Sequence, residues 1–270
     1  MSELGALSPI LARKRVEAEA LRGHAAGLWA RTAEMPPGRG FAAALHGGAL
    51  IAEMKRRSPS GGSLRPGLDP GATARAYTGA GAAAISVLTD GADFDGSLDD
   101  LAAATRATGL PVLRKDFIVD PVQVAEARAA GADAVLLIVA ALPGRLLDAC
   151  IDAAARARLD VLAEVHDQAE TERALASGAS CIGVNNRDLQ TLRTDPGTFA
   201  RLRPLIPDGT VCVAESGVRD AADIVRLVVA GADAVLVGEA LMRASDPAAA
   251  CAALATAARE AAAGRAGAVS

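Results

Sequence analysis

The stretch Ala130-Gly131-Ala132-Asp133-Ala134-Val135-Leu136 recurs unchanged as Ala230-Gly231-Ala232-Asp233-Ala234-Val235-Leu236. Weaker copies begin at Gly81 (Gly81-Ala82-Ala83-Ala84-Ile85) and at Gly178 (Gly178-Ala179-Ser180-Cys181-Ile182), so the four glycines fall about 50 residues apart. In each copy a helix-like stretch precedes the glycine and an apolar run follows it. The glycine sits where a helix C-capping residue would adopt the left-handed conformation. A period near 50 is too long for one helix and one strand. It fits two strand–helix units of about 25 residues each.

Working outward from the repeat, apolar runs at 50–55, 84–88, 112–115, 134–139, 161–165, 181–185, 211–214 and 234–237 read as strands. Helical patterns lie between and after them, at 69–79, 97–107, 121–130, 145–158, 168–177, 196–203, 221–230 and 247–263. Strands alternating with helices imply a parallel sheet with right-handed crossovers. Runs such as Ala134-Val135-Leu136-Leu137-Ile138-Val139 suit strands covered on both faces. Eight such units predict an α/β fold, a (β/α)8 barrel over residues 46–265, with residues 1–45 as an N-terminal helical extension. A doubly wound open sheet would instead carry a glycine-rich turn after the first strand, and Lys55-Arg56-Arg57-Ser58 is not one. In the extension, Ser8-Pro9 reads as a helix start, and either a plug for the barrel bottom or a cover for its top fits the pattern.

Composition narrows the function. The 270 residues are 51% hydrophobic and 22% charged, with a net charge of −4. That is globular and excludes disorder. Mild acidity and 2% aromatics argue against a nucleic-acid partner, which calls for basic stripes and stacking platforms. The longest uncharged runs, 134–144 and 247–258, fall short of the roughly 20 residues that span a bilayer. With Glu3 early and no apolar core before Arg13, no signal peptide is expected, and the reading is a cytoplasmic protein. Cys150, Cys181, Cys212 and Cys251 form no CxxC pair, and three scattered histidines suggest no metal site.

Charge collects where the strands end. These ends read Glu53-Met54-Lys55-Arg56-Arg57-Ser58, Arg114-Lys115-Asp116-Phe117, Glu164-Val165-His166, Asn185-Asn186-Arg187-Asp188, Glu215-Ser216-Gly217 and Gly238-Glu239. Active sites of such barrels form at that rim. Strand alternation places Glu53 with Lys55, Lys115 with Leu113 and Phe117, and Glu164 with Leu162 and His166. Converging lysines and carboxylates perturb one another's pKa values, as acid–base chemistry requires. Ser216-Gly217 and Gly238-Glu239, after the seventh and eighth strands, suit a phosphate held by backbone N–H groups, Glu239 contributing only its own N–H. The run 58–63 reads as a loop able to close over a ligand.

Taken in order, Glu53–Ser60, Leu113–Ile118, Glu164–His166, Gly183–Leu189, Ala214–Gly217 and Val237–Met242 resemble indole-3-glycerol phosphate synthase, one motif per strand, from about residue 8 to residue 243. Two departures are small: Met54 replaces an aromatic or other apolar residue, and Ala240 replaces a serine, removing a hydroxyl near the phosphate. The resemblance implies conversion of 1-(2-carboxyphenylamino)-1-deoxyribulose 5-phosphate to indole-3-glycerol phosphate, carbon dioxide and water in tryptophan biosynthesis. It implies no cofactor, and an extension folded over the catalytic face. Lys115 would be the general acid, Glu164 a base, and Glu53 and Lys55 assistants, Lys55 also reaching the substrate carboxylate or phosphate. Ser58, Phe94, Phe117, Leu136, Asn185, Arg187 and Leu189 would bind substrate, with an apolar slot for its aromatic end. Lys55 and Arg187 are expected to lower the Lys115 pKa toward neutrality. Rival readings are another phosphosugar barrel, isomerase or aldolase, and a non-catalytic phosphate-ligand barrel. A monomer, or at most a weak dimer, is expected.

Overall fold

A computed structural model describes Gly5 and residues 7–267. Glu3, on which the expectation of no signal peptide partly rests, lies outside the described residues. Eight parallel strands close into a barrel: β1 (Ala49–Met54), β2 (Ala84–Leu88), β3 (Val112–Lys115), β4 (Ala134–Ile138), β5 (Asp160–Val165), β6 (Cys181–Asn185), β7 (Val211–Glu215) and β8 (Ala234–Val237). Each pairs with its sequence neighbours, and β8 returns to β1 through Ala49↔Ala234 to Ala52↔Val237. The (β/α)8 barrel expected from the repeat is the observed architecture.

The alternation of each strand splits its apolar side chains between two cores. Ile51, Leu113, Leu136, Leu162, Val213 and Leu236 fill the interior, while Leu50, Val112, Val135, Ala163, Ile182, Cys212 and Val235 pack outward beneath the helices. This double burial is why the strands read as continuous apolar runs. At Gly81, Gly131, Gly178 and Gly231, φ lies between 83° and 106°, as a helix terminus reversing into a strand demands. Cys150, Cys181, Cys212 and Cys251 are buried and unpaired.

The helices are α1 (Leu7–Arg22), α2 (Ala25–Glu34), α3 (Pro70–Gly79), α4 (Gly91–Phe94), α5 (Leu98–Ala107), α6 (Pro121–Ala129), α7 (Leu146–Ala157), α8 (Gln168–Ala176), α9 (Thr198–Leu202), α10 (Ala221–Val229), α11 (Glu239–Arg243) and α12 (Pro247–Gly267). Several start on side-chain caps that the sequence supplies: Asp69, Ser97, Asp120, Asp167 and Asp220 each accept a first-turn N–H. Helix α2, the short α4 and α11, and a two-residue hairpin pairing Arg57–Ser58 with Gly62–Ser63 add to the elements read from the sequence. Helix α12 runs past the expected end at 263 to Gly267.

The extension meets the barrel at both ends. Phe41 and Leu45 are fully buried in the inner core, and the Ala42 N–H donates to Asp160 Oδ2 at the start of β5, closing the bottom. Leu7, Leu11 and Ala18 of α1 join the same core with Phe117. Lys14 of α1, 4% exposed, lies 2.9 Å from Asp90 and 2.8 Å from Asp116. Asp116 follows Lys115 directly, so α1 is fixed over the C-terminal rim beside β3.

Candidate active site

The parity that sends Ile51, Leu113, Leu162, Cys181 and Val213 inward also sends Glu53, Lys115, Glu164, Asn185 and Glu215 inward, at the last turns of their strands. Five polar groups thus stand on top of an aliphatic core. Two glycines make room for them. A Cβ at Gly183 would collide with Glu215 Oε1, and one at Gly238 with Glu53 Oε1. Side chains there would push the carboxylates out of the site.

The Lys115 ammonium lies 3.5 Å from Glu164 Oε2 and 3.6 Å from Glu215 Oε2. Burial would lower its pKa, but Glu164, Glu215 and Glu53 prevail, and it is held above the usual lysine value. Lys55 Nζ sits 2.6 Å from Glu53 Oε1, and Ser86 Oγ donates to Glu53 Oε2 at 3.4 Å. Glu53 is accordingly lowered: burial opposes ionisation, but Lys55 and Lys115 outweigh it. Glu164 Oε1 accepts from Asn185 Nδ2 at 3.0 Å and faces His166 Nε2 at 3.3 Å. Burial would raise Glu164, yet Lys115, His166 and Asn185 bring it down to about 2. Glu215 goes the other way. Its Oε1 has no hydrogen-bond partner among the described residues. Burial and the neighbouring Glu164 push it up to about 8 despite Lys115.

These groups floor a cavity of about 1130 Å³. On one side, Ser216 and Gly217, just after β7, adopt φ of 65° and 83°, two successive residues with left-handed φ. The first turn of α11, beginning after Gly238, has no side-chain cap. Glu239 is paired with Arg243 at 2.9 Å, and Arg243 also donates to the Gly61 carbonyl at 2.8 Å, joining α11 to the loop after β1. Within that loop Ser58 Oγ accepts from Gly61 N–H at 3.0 Å, which shapes the turn of the hairpin. On the other side, Phe94 and Phe117 meet with ring centroids 6.1 Å apart and planes at 41°, beside Leu136 and Leu189. Arg187 donates to the Leu192 carbonyl at 3.0 Å, and its N–H to Asn185 Oδ1 at 3.0 Å. Leu7, Pro9, Ile10 and Arg13 of α1 complete the wall.

Every candidate residue from the sequence, from Glu53, Lys55 and Ser58 to Gly238 and Glu239, lines this one cavity. The expected direction of the Lys115 shift is corrected. It is raised, because burial, which would lower it, is outweighed by three carboxylates from β1, β5 and β7. Two participants carried no role in the sequence reading, or only a faint one. Glu215 was visible as a strand end, and its inward parity with Val211 and Val213 was the available signal. His166 contacts Glu164 and, through Nδ1, Glu170 Oε2 at 2.9 Å. Among the described residues no group of three or more His, Cys, Asp or Glu side chains is placed to hold a metal.

A family model described as indole-3-glycerol phosphate synthase matches residues 7–254. Indole-3-glycerol phosphate synthase 2 of Streptomyces coelicolor is 52% identical over 249 residues, covering 89% of this chain and 96% of that protein. The indole-3-glycerol phosphate synthase of a Nocardioides species is 56% identical over 201 residues, covering 74% and 77%. Among solved structures, a thiamine phosphate pyrophosphorylase from Pyrococcus furiosus superposes with a TM-score of 0.62 at 20% identity, covering 80% of this chain and 98% of that one. That likeness concerns the barrel fold alone.

Proposed function

From the premise that the chain belongs to the indole-3-glycerol phosphate synthase family, we propose how its residues divide the work of that reaction. The protein is a carboxy-lyase of tryptophan biosynthesis, forming indole-3-glycerol phosphate from 1-(2-carboxyphenylamino)-1-deoxyribulose 5-phosphate with loss of carbon dioxide and water. Neither the isomerase or aldolase reading nor the non-catalytic barrel survives that assignment.

In our reading the substrate phosphate lies on the backbone N–H groups of Ser216, Gly217 and Glu239, next to Gly238, with Lys55 supplying positive charge. The aromatic end enters the slot formed by Phe94, Phe117, Leu136 and Leu189. Asn185 and Arg187 hydrogen-bond the substrate, and Ser58 supports the loop that closes over it. The Lys115 ammonium donates its proton to the ribulose carbonyl oxygen as the anthranilate ring carbon bonds to the carbonyl carbon. The ring carboxylate then leaves as carbon dioxide, and its bonding pair restores the ring. Departure of the new hydroxyl as water takes one proton from an acid, Lys115 or Lys55, while Glu164 removes a proton from the ring system. Glu53 holds Lys55 in place at 2.6 Å.

The observation that carries this division is the 3.5 Å approach of Lys115 to Glu164 inside one cavity, between the Ser216-Gly217 turn and an apolar slot. The carboxylates keep Lys115 in its proton-bearing form and the cations keep Glu164 in its proton-free form, so each stands in the state its role starts from, although the same shifts make Lys115 a weaker acid and Glu164 a weaker base. Residues 1–45 serve in this reading as a helical extension that covers the catalytic face, with 46–265 as the barrel and the two as one domain. The protein works without cofactor or metal on a small phosphorylated substrate, with no nucleic-acid partner, as a monomer in the cytoplasm. No helix among the described residues is long and apolar enough to cross a membrane, which is compatible with that location.

The test is turnover followed by indole fluorescence. Glu164→Gln is expected to lower it by roughly 100-fold, the usual scale of a lost general base, with the circular dichroism spectrum intact. Near-normal turnover would overturn the assignment of the base.

A further inference from the structure

We propose that His166 is a positioning residue that carries a proton throughout the working pH range and, clamped between Glu170 and Glu164, keeps Glu164 ionised and aimed at Lys115. The proposal rests on the reading of Glu164 as the base.

His166 is the first residue beyond β5. Its backbone N–H and its Nδ1 both meet Glu170 Oε2, at 2.8 and 2.9 Å, so the first turn of α8 fixes the ring. On the far side, Nε2 faces Glu164 Oε1 at 3.3 Å. A neutral imidazole has one N–H and one lone pair. With a carboxylate oxygen against each nitrogen, the neutral ring would set a lone pair against a carboxylate on one side. The imidazolium gives an N–H to Glu170 and sets positive charge against Glu164, with Nε2 at ion-pair distance and outside hydrogen-bond geometry. The side chain is 13% exposed, so solvent does little to relieve such a clash.

The groups around the ring are of one sign. Glu164 comes from its own strand and Glu170 from α8, and both favour the charged ring; Glu215 of β7 and Asp188 of the loop after β6 interact with it more weakly. Lys115 stands beyond Glu164, 3.5 Å from its Oε2. Burial would depress the imidazole, yet Glu164 and Glu170 lift it to about 10.

The consequence appears when Glu164 is set beside Glu215. Both are buried and inward-facing, at 3.5 and 3.6 Å from one ammonium. Glu164 has Asn185 and His166 as further partners, whereas Glu215 Oε1 has none among the described residues. Lys55 is engaged with Glu53, and Lys115 alone cannot neutralise Glu164 and Glu215 together. His166 decides that the proton shared by the cluster rests on Glu215, leaving Glu164 free to accept one.

Two measurements test this. In nitrogen-15 spectra of the full-length protein, the His166 ring is expected to stay doubly protonated from about pH 6 to about pH 8.5. His24 and His46 are exposed, so the buried ring is distinguishable among the three histidines. A neutral His166 ring near pH 7 would overturn the proposal. In His166→Gln, kcat is expected to drop roughly 10-fold at about pH 6 and to recover in part by about pH 8, with KM within about 2-fold, because Glu164 then protonates at higher pH. Glu170→Gln should move kcat in the same direction by less. A loss equal at every pH, or no loss, would refute the proposal. The readings separate through Glu164→Gln. If that variant stays active, the assignment of the base fails first. If it is inactive and the His166→Gln profile is flat, only the role of His166 fails.

Discussion

At the N-terminal end of the barrel, Asp133 and Asp233 each take up the N–H of a neighbouring strand: Val112 N–H reaches Asp133 Oδ2 at 2.8 Å and Cys212 N–H reaches Asp233 Oδ2 at 2.9 Å. Asp160, at the same end, accepts from Ala42 N–H at 2.9 Å. At the C-terminal end, Glu164 Oε2 and Glu215 Oε1 are buried with no hydrogen-bond partner among the described residues, and Lys115 stands at ion-pair distance from both side chains. Acidic groups at the two ends of the same barrel are thus treated in opposite ways. Those at the bottom are saturated by the backbone and hold strands together. Those at the top keep free valences, which cost stability and leave atoms for a substrate to engage. Both sets are carboxylates, so the partner, not the residue type, separates a structural carboxylate from a chemical one.

The sharpest way to break this contrast is at Lys115. Lys115→Ala should depress turnover by roughly 100-fold or more while thermal unfolding stays cooperative, because it removes the proposed proton donor from a rim that does not support the fold. Turnover near the wild-type value would end the distinction between the two rims. The reverse case is Asp133→Ala. Asp133 is 3% exposed and also accepts from Arg39 N–H and Nε, at 2.9 and 2.8 Å. Its loss strands buried donors and should cost about 2 kcal/mol in urea unfolding, with kcat within about 2-fold. A Lys115-like fall in kcat without a change in the unfolding midpoint would contradict the assignment of the lower rim.

Glu215→Gln asks what the free valence costs. Glu215 sits at about 8 in the folded protein, above the ordinary carboxyl value, because it is buried beside Glu164. Below the ordinary value both folded and unfolded chains hold the proton, and nothing is lost. As pH rises toward 8 the unfolded chain releases it while the folded one keeps it, so stability falls. Gln removes that penalty. The variant should therefore gain on the order of 1 kcal/mol over wild type at about pH 8, with the gap narrowing toward about pH 5. A gap that is constant, or that widens toward acid, would show that Glu215 is ionised in the resting site.

Much of this was legible in the residues, for identifiable reasons. The barrel announces itself because its strands are buried on both faces and its helices end on glycine, and neither signal depends on distant partners. The upper rim was legible because charges at strand ends have few structural uses. The direction of the Lys115 shift was not. Lys55 and Arg187 are prominent in the motifs, whereas Glu53, Glu164 and Glu215 reach Lys115 only across the closed barrel. The pairing of His166 with Glu170 is local, but its importance depends on how Glu164 turns. Asp133 and Asp233 stood inside the repeat itself, and their task stayed hidden because it is defined by backbone N–H groups of other strands. Helix α2 escaped notice because it leaves only Thr32 buried.

The finest comparison concerns a hydroxyl. Ala240 lines the cavity as the second residue of α11, immediately after the Glu239 N–H assigned to the phosphate. A serine there would offer one further donor to an anion already held by backbone amides. Such a bond is made equally before and during the chemistry, so it should appear in KM and not in kcat. Ala240→Ser is therefore expected to lower KM by about 2- to 10-fold, the worth of one partly solvated hydrogen bond to a charged group, and to strengthen inhibition by inorganic phosphate in parallel. The same change at Ala232, fully buried near the lower rim, should leave KM untouched and cost about 1 kcal/mol of stability, since its hydroxyl would have nothing to bind. Unchanged KM and unchanged phosphate inhibition in Ala240→Ser would mean that the anion does not lie on the first turn of α11, and would confine it to the Ser216-Gly217 turn.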